Sequence, residues 1–326
     1  MSRIKEFDGI RAIAIIGIVA CHLCYGNNPM SPIGQYLGGT FNFVFFILSG
    51  ILIGLNSNST INTTKSKSRV SFLRKRILRL IPDLWIFLLA FTLYAYFVGI
   101  SINPKTVMLN FMMLGWIAKL PNCGHLWFVS MILICYTVFS FLLYTENKKR
   151  ATIVVFTECI LGQLIFEYLN LPSYLFIILL ISCIGMLYSH QITQLFDYIP
   201  ISWATFFLLV TNVPFLIMIY SKNLIIGHLN YYYIACICGT SVLLFLYKFF
   251  KHAPVGRILM IISLYSYQIY LVHHPLCNVT GIAEKVNSKT LAIIIILTAT
   301  IILSALLKWC SDFFTSTIYG HLRKRR

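Results

Sequence analysis

Two ionisable side chains lie inside the first apolar stretch of the chain, FDGIRAIAIIGIVACHLCYG. Arg11 and His22 are eleven residues apart, a rotation of about 1100° on an α-helix, so both project from one face and lie about 16 Å apart along the axis. Guanidinium groups bind phosphate through paired hydrogen bonds, and imidazole suits proton transfer near neutral pH. The spacing places Arg11 near the cytoplasmic surface and His22 near the outer one, where both would face one common path through the bundle. The alternative is that Arg11 only reaches the interface and His22 only bonds a neighbouring helix.

Further polar groups are predicted at the same two depths. Arg76 and Arg79 lie three residues apart at the start of a later apolar stretch, so they share a helix face and suit phosphate. The rest of the basic run, Lys65 to Arg74, needs no explanation beyond the cytoplasmic preference of cations. On the other side, His125 opens one apolar stretch, and His273 and His274 close another. Together with the segment of His22, three segments are therefore expected to bring imidazole to the outer half of the membrane.

The elements that must position these residues are membrane helices. The chain of 326 residues is 59% hydrophobic and only 11% charged, whereas soluble domains carry about 25% charged residues. Stretches of about 20 apolar residues are long enough to cross a bilayer. Ten such stretches are predicted, at 8–25, 38–55, 81–99, 125–144, 151–169, 173–189, 200–220, 229–248, 257–277 and 289–309. A shorter apolar piece at 106–117 is expected to be re-entrant or interfacial. The predicted fold class is thus all-α, a polytopic membrane protein.

The net charge of +17 reflects topology rather than a polyanionic partner. With a cytoplasmic N-terminus, all but five of the 26 Lys and Arg residues fall on the cytoplasmic side, as the positive-inside rule requires. The five on the other side are Lys105, Lys119, Lys222, Lys285 and Lys289. Both termini are therefore expected in the cytoplasm, and nucleic acid is not expected as a partner.

The ten cysteines favour neither a disulfide framework nor a metal site, since most lie in apolar stretches, where Cys acts as a small hydrophobe. Cys21 and Cys24 form a C-x-x-C, but a redox or metal reading needs a second matched pair. The stretch ending at Cys21 is also similar to a lipoprotein signal. Glu6 and Asp8 argue against that reading, and cleavage there would remove Arg11. No metal is expected.

Five segments resemble acyltransferase family 3, whose members are mostly bacterial membrane O-acyltransferases of envelope glycans. They are FDGIRAIAIIGIVACH, FVFFILSGILIG, the basic run from Arg76 to Pro82, GHLWFVSMILICY and YSYQIYLVHHP. The segments run in the family's order from residue 7 to residue 275. The family commonly ends with a Glu-Pro pair, whereas this chain has KWCSDFFTST, so Asp312 is given no role. One membrane domain over residues 1–326, without an appended extracytoplasmic domain, is expected.

The resemblance implies a short acyl-CoA, most simply acetyl-CoA, as acyl donor. Its phosphates would bind Arg76 and Arg79, and secondarily Arg11. His22 would be the general base or an acyl relay. The oxyanion donor is left open between Tyr267, Tyr270 and His273.

The acceptor would be a hydroxyl of an envelope glycan or lipid-linked saccharide, on the outer side of a bacterial inner membrane. His125, His274, Tyr267 and Trp127 are candidate contacts to it, although a Trp at an interface often only anchors a helix. An exporter of a glycan or lipid-linked precursor is the alternative function. Membrane lipids are expected partners, and the oligomeric state is left open.

Overall fold

The computed structural model describes residues 4–25, 31–57, 65–221, 228–278, 282–286 and 288–324, and these residues contain no strand. Their regular structure is a series of α-helices and one short 3-10 helix, Gly124–Leu126. In chain order the α-helices are α1 (Lys5–Tyr25), α2 (Pro32–Ser57), α3 (Lys65–Val98), α4 (Pro104–Phe111), α5 (Trp127–Leu142), α6 (Lys148–Tyr168), α7 (Tyr174–Leu187), α8 (Ser189–Tyr198), α9 (Ile201–Ser221), α10 (His228–His252), α11 (Arg257–Leu264), α12 (Ser266–Asn278), α13 (Ile282–Lys285) and α14 (Lys289–Lys324).

Within the described ranges, eight helical segments are long and apolar enough to span a membrane, so the predicted polytopic all-α class is confirmed. The count differs from the predicted ten because two stretches are broken. The stretch at 173–189 becomes α7, which is followed by α8 at a bend of 81°, and this pair would make a ninth span. The stretch at 257–277 is interrupted at Tyr265, which leaves α11 and α12 too short to span singly.

The chain divides into two compact units, and the first comprises Met1–Val70 and Ile134–Leu264. In it α2 packs against α1, α7 and α10. A Cβ at Gly50 or Gly54 of α2 would collide with backbone atoms of Ser182 and Met186 in and near the facing turns of α7. Membrane helices commonly approach closely through such small residues. The glycines of α2 thus allow the backbone contact that organises this unit.

The second unit comprises Ser71–Leu133 and Tyr265–Arg326, and in it α12 packs along α14. The apolar piece at 106–117 is the short helix α4 and the turns that follow it, not a span. Asn103 caps α4 by accepting a hydrogen bond from the Lys105 amide at 2.9 Å. The buried amide of Asn110 donates to the carbonyls of Thr106 and Ala118, which holds the turns against the helix.

Candidate active site

The face of α1 that carries Arg11 and His22 points into the first unit. Between them on this face lie Ile15 and Ile18, which are 0% and 2% exposed, whereas Ile16 on the opposite face is 43% exposed. The helix is continuous over Lys5–Tyr25, so the expected rise of about 16 Å between the two residues holds. The two predicted residues therefore share a core-facing face at opposite ends of α1.

Hydrogen bonds to Asp8 and Ser263 hold the Arg11 side chain. Its Nη1 donates to Asp8 Oδ1 at 3.2 Å and to Ser263 Oγ at 3.3 Å, and the Ser263 hydroxyl donates to the same carboxylate oxygen at 3.2 Å. Asp8 and Arg11 therefore form an ion pair within α1. Ser263 lies on α11 and is 2% exposed. It was missed in the sequence because nothing local links a serine to an arginine 252 residues away.

His22 lies in the last turn of α1 and is half-buried. Beside it Cys21 is buried and Cys24 is exposed. Among the residues with described positions, no three His, Cys, Asp or Glu side chains gather in a way that could hold a metal ion.

The second unit brings together the other three predicted histidines. His125, in the 3-10 helix before α5, stacks on His274 of α12 with ring centroids 4.5 Å apart and an interplanar angle of 18°. It meets His273 edge-on, with ring centroids 5.6 Å apart. Tyr270, one turn earlier on α12, lies 5.2 Å from the His125 ring. We call these four residues the imidazole cluster. His22 belongs to the first unit.

Hydrogen bonds to backbone carbonyls fix the orientation of the imidazole cluster. The Tyr270 hydroxyl donates to the carbonyl of His125, and His125 Nε2 lies 3.2 Å from the carbonyl of Leu271. The Nδ1 atoms of His273 and His274 lie 3.0 Å and 2.7 Å from the carbonyls of Ile269 and Asn122. Because a carbonyl only accepts, each of these ring nitrogens carries a hydrogen.

All four members of the cluster are buried, from His273 at 0% to His274 at 8% exposed. The cluster is therefore buried, and hydrogen bonds to backbone carbonyls hold its side chains. The contacts of these buried residues with substrate stay predictions.

Two further predicted contacts also lie in the second unit. The Tyr267 hydroxyl donates to the carbonyl of Leu80 on α3 at 3.3 Å, so it joins α12 to α3. Trp127 is half-buried at the first position of α5 and packs edge-on against Phe128.

The basic end of α3 presents its cations on different sides. A concavity of about 440 Å³ is lined by Ser71, Arg74, Lys75, Leu78 and Arg79. Arg76 is not among these residues; its guanidinium lies over the Phe72 ring, 5.5 Å from the centroid. Of the predicted pair, Arg79 therefore lines the concavity, and its neighbours there are Arg74 and Lys75. The helical spacing of these three was the available signal, which the simple positive-inside interpretation did not use.

Comparison with known proteins identifies the family. A family model described as an acyltransferase domain, that of acyltransferase family 3, matches residues 4–309 and so includes every residue discussed in this section. No curated protein and no solved structure matches the chain. The match covers nearly the whole length and agrees with the polytopic helical fold. The chain therefore belongs to acyltransferase family 3 and is a membrane enzyme that transfers acyl groups.

Proposed function

We propose that the protein moves an acetyl group from cytoplasmic acetyl-CoA to a hydroxyl of a cell-envelope glycan or lipid-linked saccharide at the outer side of a bacterial inner membrane. The observation that carries the proposal is the core-facing face of α1. It holds a fixed guanidinium, Arg11, at one depth and an imidazole, His22, at the other. A donor with phosphates at one end and a thioester at the other matches this separation.

The donor's phosphates favour binding sites with several cations. Arg11 is oriented by Asp8 and Ser263, and Arg79 shares the concavity on α3 with Arg74 and Lys75. Guanidinium groups bind phosphate oxygens in pairs, and lysine adds a point charge. The pantetheine arm of CoA is uncharged and flexible, so it suits the rise of about 16 Å along α1 from Arg11 to His22.

His22 would act where the thioester meets the acceptor. The imidazole removes the hydroxyl proton as the oxygen attacks the thioester carbonyl, which gives a tetrahedral oxyanion. The C–S bond then breaks, and the proton passes from the imidazolium to the departing CoA sulfur. The products are an O-acyl ester and free CoA. In a relay, the imidazole nitrogen attacks the thioester carbonyl, the C–S bond breaks, and CoA leaves as the thiol after taking the imidazole proton. The hydroxyl then attacks the acyl-imidazole, the C–N bond breaks, and the hydroxyl proton returns to the imidazole.

The decisive experiment compares envelope glycans from cells that express the wild-type protein, His22→Ala or no protein. Mass spectrometry is expected to find acetylated saccharides in the wild type alone. An exporter would instead change the amount of glycan outside the membrane without changing its acylation, and that result would refute the proposal. Rapid-quench trapping with labelled acetyl-CoA and no acceptor separates the two routes, because only the relay accumulates labelled protein.

A further inference from the structure

A buried acid in the second unit has no part in the chemistry proposed above. Asp83 follows Pro82 inside the spanning part of α3 and is 5% exposed. Its Oδ2 accepts a hydrogen bond from Nε2 of Gln268 on α12 at 3.0 Å, and Gln268 is also 5% exposed. The buried hydroxyl of Ser311 on α14 lies beside the carboxyl. Three helices of the unit therefore meet at this acid.

The hydrogen bonds at this contact are incomplete without one more hydrogen. Asp83 Oδ1 and Gln268 Oε1 are both buried, and neither has a hydrogen-bond partner among the described residues. An ionised carboxylate and an amide oxygen only accept, so both oxygens would bear the cost of burial without a donor. A hydrogen on Oδ1 supplies the missing donor. It completes the cyclic pair that a carboxylic acid forms with a primary amide, of which the Nε2 to Oδ2 bond is the observed half.

The charges nearby also favour a neutral acid. Lys308 Nζ donates to both carboxylate oxygens of Asp312, at 3.0 Å and 3.1 Å, so these two residues form a neutral pair by themselves. Arg79, one turn before Asp83 on α3, is exposed and lines the concavity described above. An ionised Asp83 would therefore add a net negative charge to a buried site in a membrane protein, which is costly.

We propose that Asp83 carries a proton on Oδ1 and donates it to Gln268 Oε1, and that this acid–amide pair positions the imidazole cluster. Gln268 lies two residues before Tyr270 on α12, and the Tyr270 hydroxyl holds the carbonyl of His125. Asp83 and Gln268 are thus positioning residues that act through α12. The proposal goes beyond the proposed function, because it depends on neither the donor nor the acceptor.

Infrared difference spectroscopy of the full-length protein in lipid vesicles tests the protonation directly. The spectrum of the wild type minus that of Asp83→Asn is expected to contain the carbonyl band of a protonated carboxyl, shifted in D₂O. The matched control is Glu167→Gln, which removes an exposed acid at the end of α6, leaves the Lys308–Asp312 pair intact and should leave the band in place. A carboxylate band in place of the acid band would overturn the proposal, since it would mean an ionised Asp83 satisfied by buried water.

Two substitutions test the positioning role. In Asp83→Asn the new amide reproduces both hydrogen bonds, so thermal stability and acyl transfer should stay within about twofold of wild type, whereas Asp83→Ala leaves Gln268 without its pair and should lower both. An Asn variant as impaired as the Ala variant would refute the neutral pair. The spectrum and the melting curve need no substrate, so a wrong assignment of donor or acceptor would leave both results interpretable.

Discussion

Arg11→Gln tests two roles of Arg11 at once, its ion pair with Asp8 and its proposed binding of a donor phosphate. The variant takes the guanidinium away from Asp8, whose side chain is 7% exposed, while the Arg11 side chain is 28% exposed. Breaking a fully buried ion pair costs roughly 3–5 kcal/mol. Because the arginine is more than a quarter exposed, solvent screening reduces this loss. We expect Arg11→Gln to lower the free energy of unfolding by about 2 kcal/mol.

The loss of affinity for acetyl-CoA has a different cause from the loss of stability. If Arg11 binds a donor phosphate, the variant loses a charged hydrogen bond worth about 1.5–3 kcal/mol. This corresponds to a rise of about 10- to 100-fold in KM for acetyl-CoA, at roughly 1.4 kcal/mol for each factor of ten. kcat should change less, because the phosphate lies far from the bond that breaks.

The double variant Arg11→Gln with Asp8→Asn distinguishes the two roles. Removing the carboxylate as well leaves no buried charge behind, so the melting temperature should return toward that of the wild type while KM stays high. Steady-state kinetics in vesicles and thermal unfolding of the same preparations supply both measurements. If the double variant regained both stability and normal KM, Arg11 would be structural only, and its assignment to the donor phosphates would be wrong.

Three further predictions follow from the contacts described above. His22→Ala should lower kcat about 10²- to 10⁴-fold with little change in KM for acetyl-CoA. Cys21→Ser and Cys24→Ser should remain active. Equal losses of acyl transfer in all three variants would favour a redox role. Gly50→Ala should lower the free energy of unfolding by about 1–3 kcal/mol, because the new methyl group meets the backbone of α7, and a melting temperature equal to wild type would contradict this packing. Tyr270→Phe should lower the free energy of unfolding by about 1–3 kcal/mol by leaving the buried His125 carbonyl without its donor; full stability with complete loss of transfer would show instead that the hydroxyl acts on substrate.

Sequence patterns predicted most of the helices because hydropathy is a local property. Two helix boundaries differ from those that hydropathy predicts. Helix α3 begins at Lys65, well before the predicted start at residue 81, because Lys and Arg are good helix formers outside lipid. The stretch at 257–277 is broken at Tyr265, although its apolar composition is nearly uniform.

The candidate site was predictable only where its spacing is local. The common face of Arg11 and His22 follows from one helix, and the repeated imidazoles pointed to His125 and His273, which do meet. Ser263 and Gln268 could not be found, since their partners are far away in the chain. Asp83 did carry a signal, an acid inside a predicted span, but its meaning depends on the amide that only folding brings to it.

The lysines of α14 give this helix a fixed depth. Lys289 and Lys308 lie at the two ends of the apolar run of α14. Their separation of nineteen residues corresponds to a rise of about 29 Å, which is close to the roughly 30 Å of a bilayer's hydrocarbon core. The two lysines therefore match a hydrocarbon core of about this thickness. In a thicker bilayer the hydrocarbon would extend over the Lys308–Asp312 pair. This pair lies on α14 next to Ser311, which contacts Asp83. Acyl-chain length would then act on the second unit through α14, with no ligand bound.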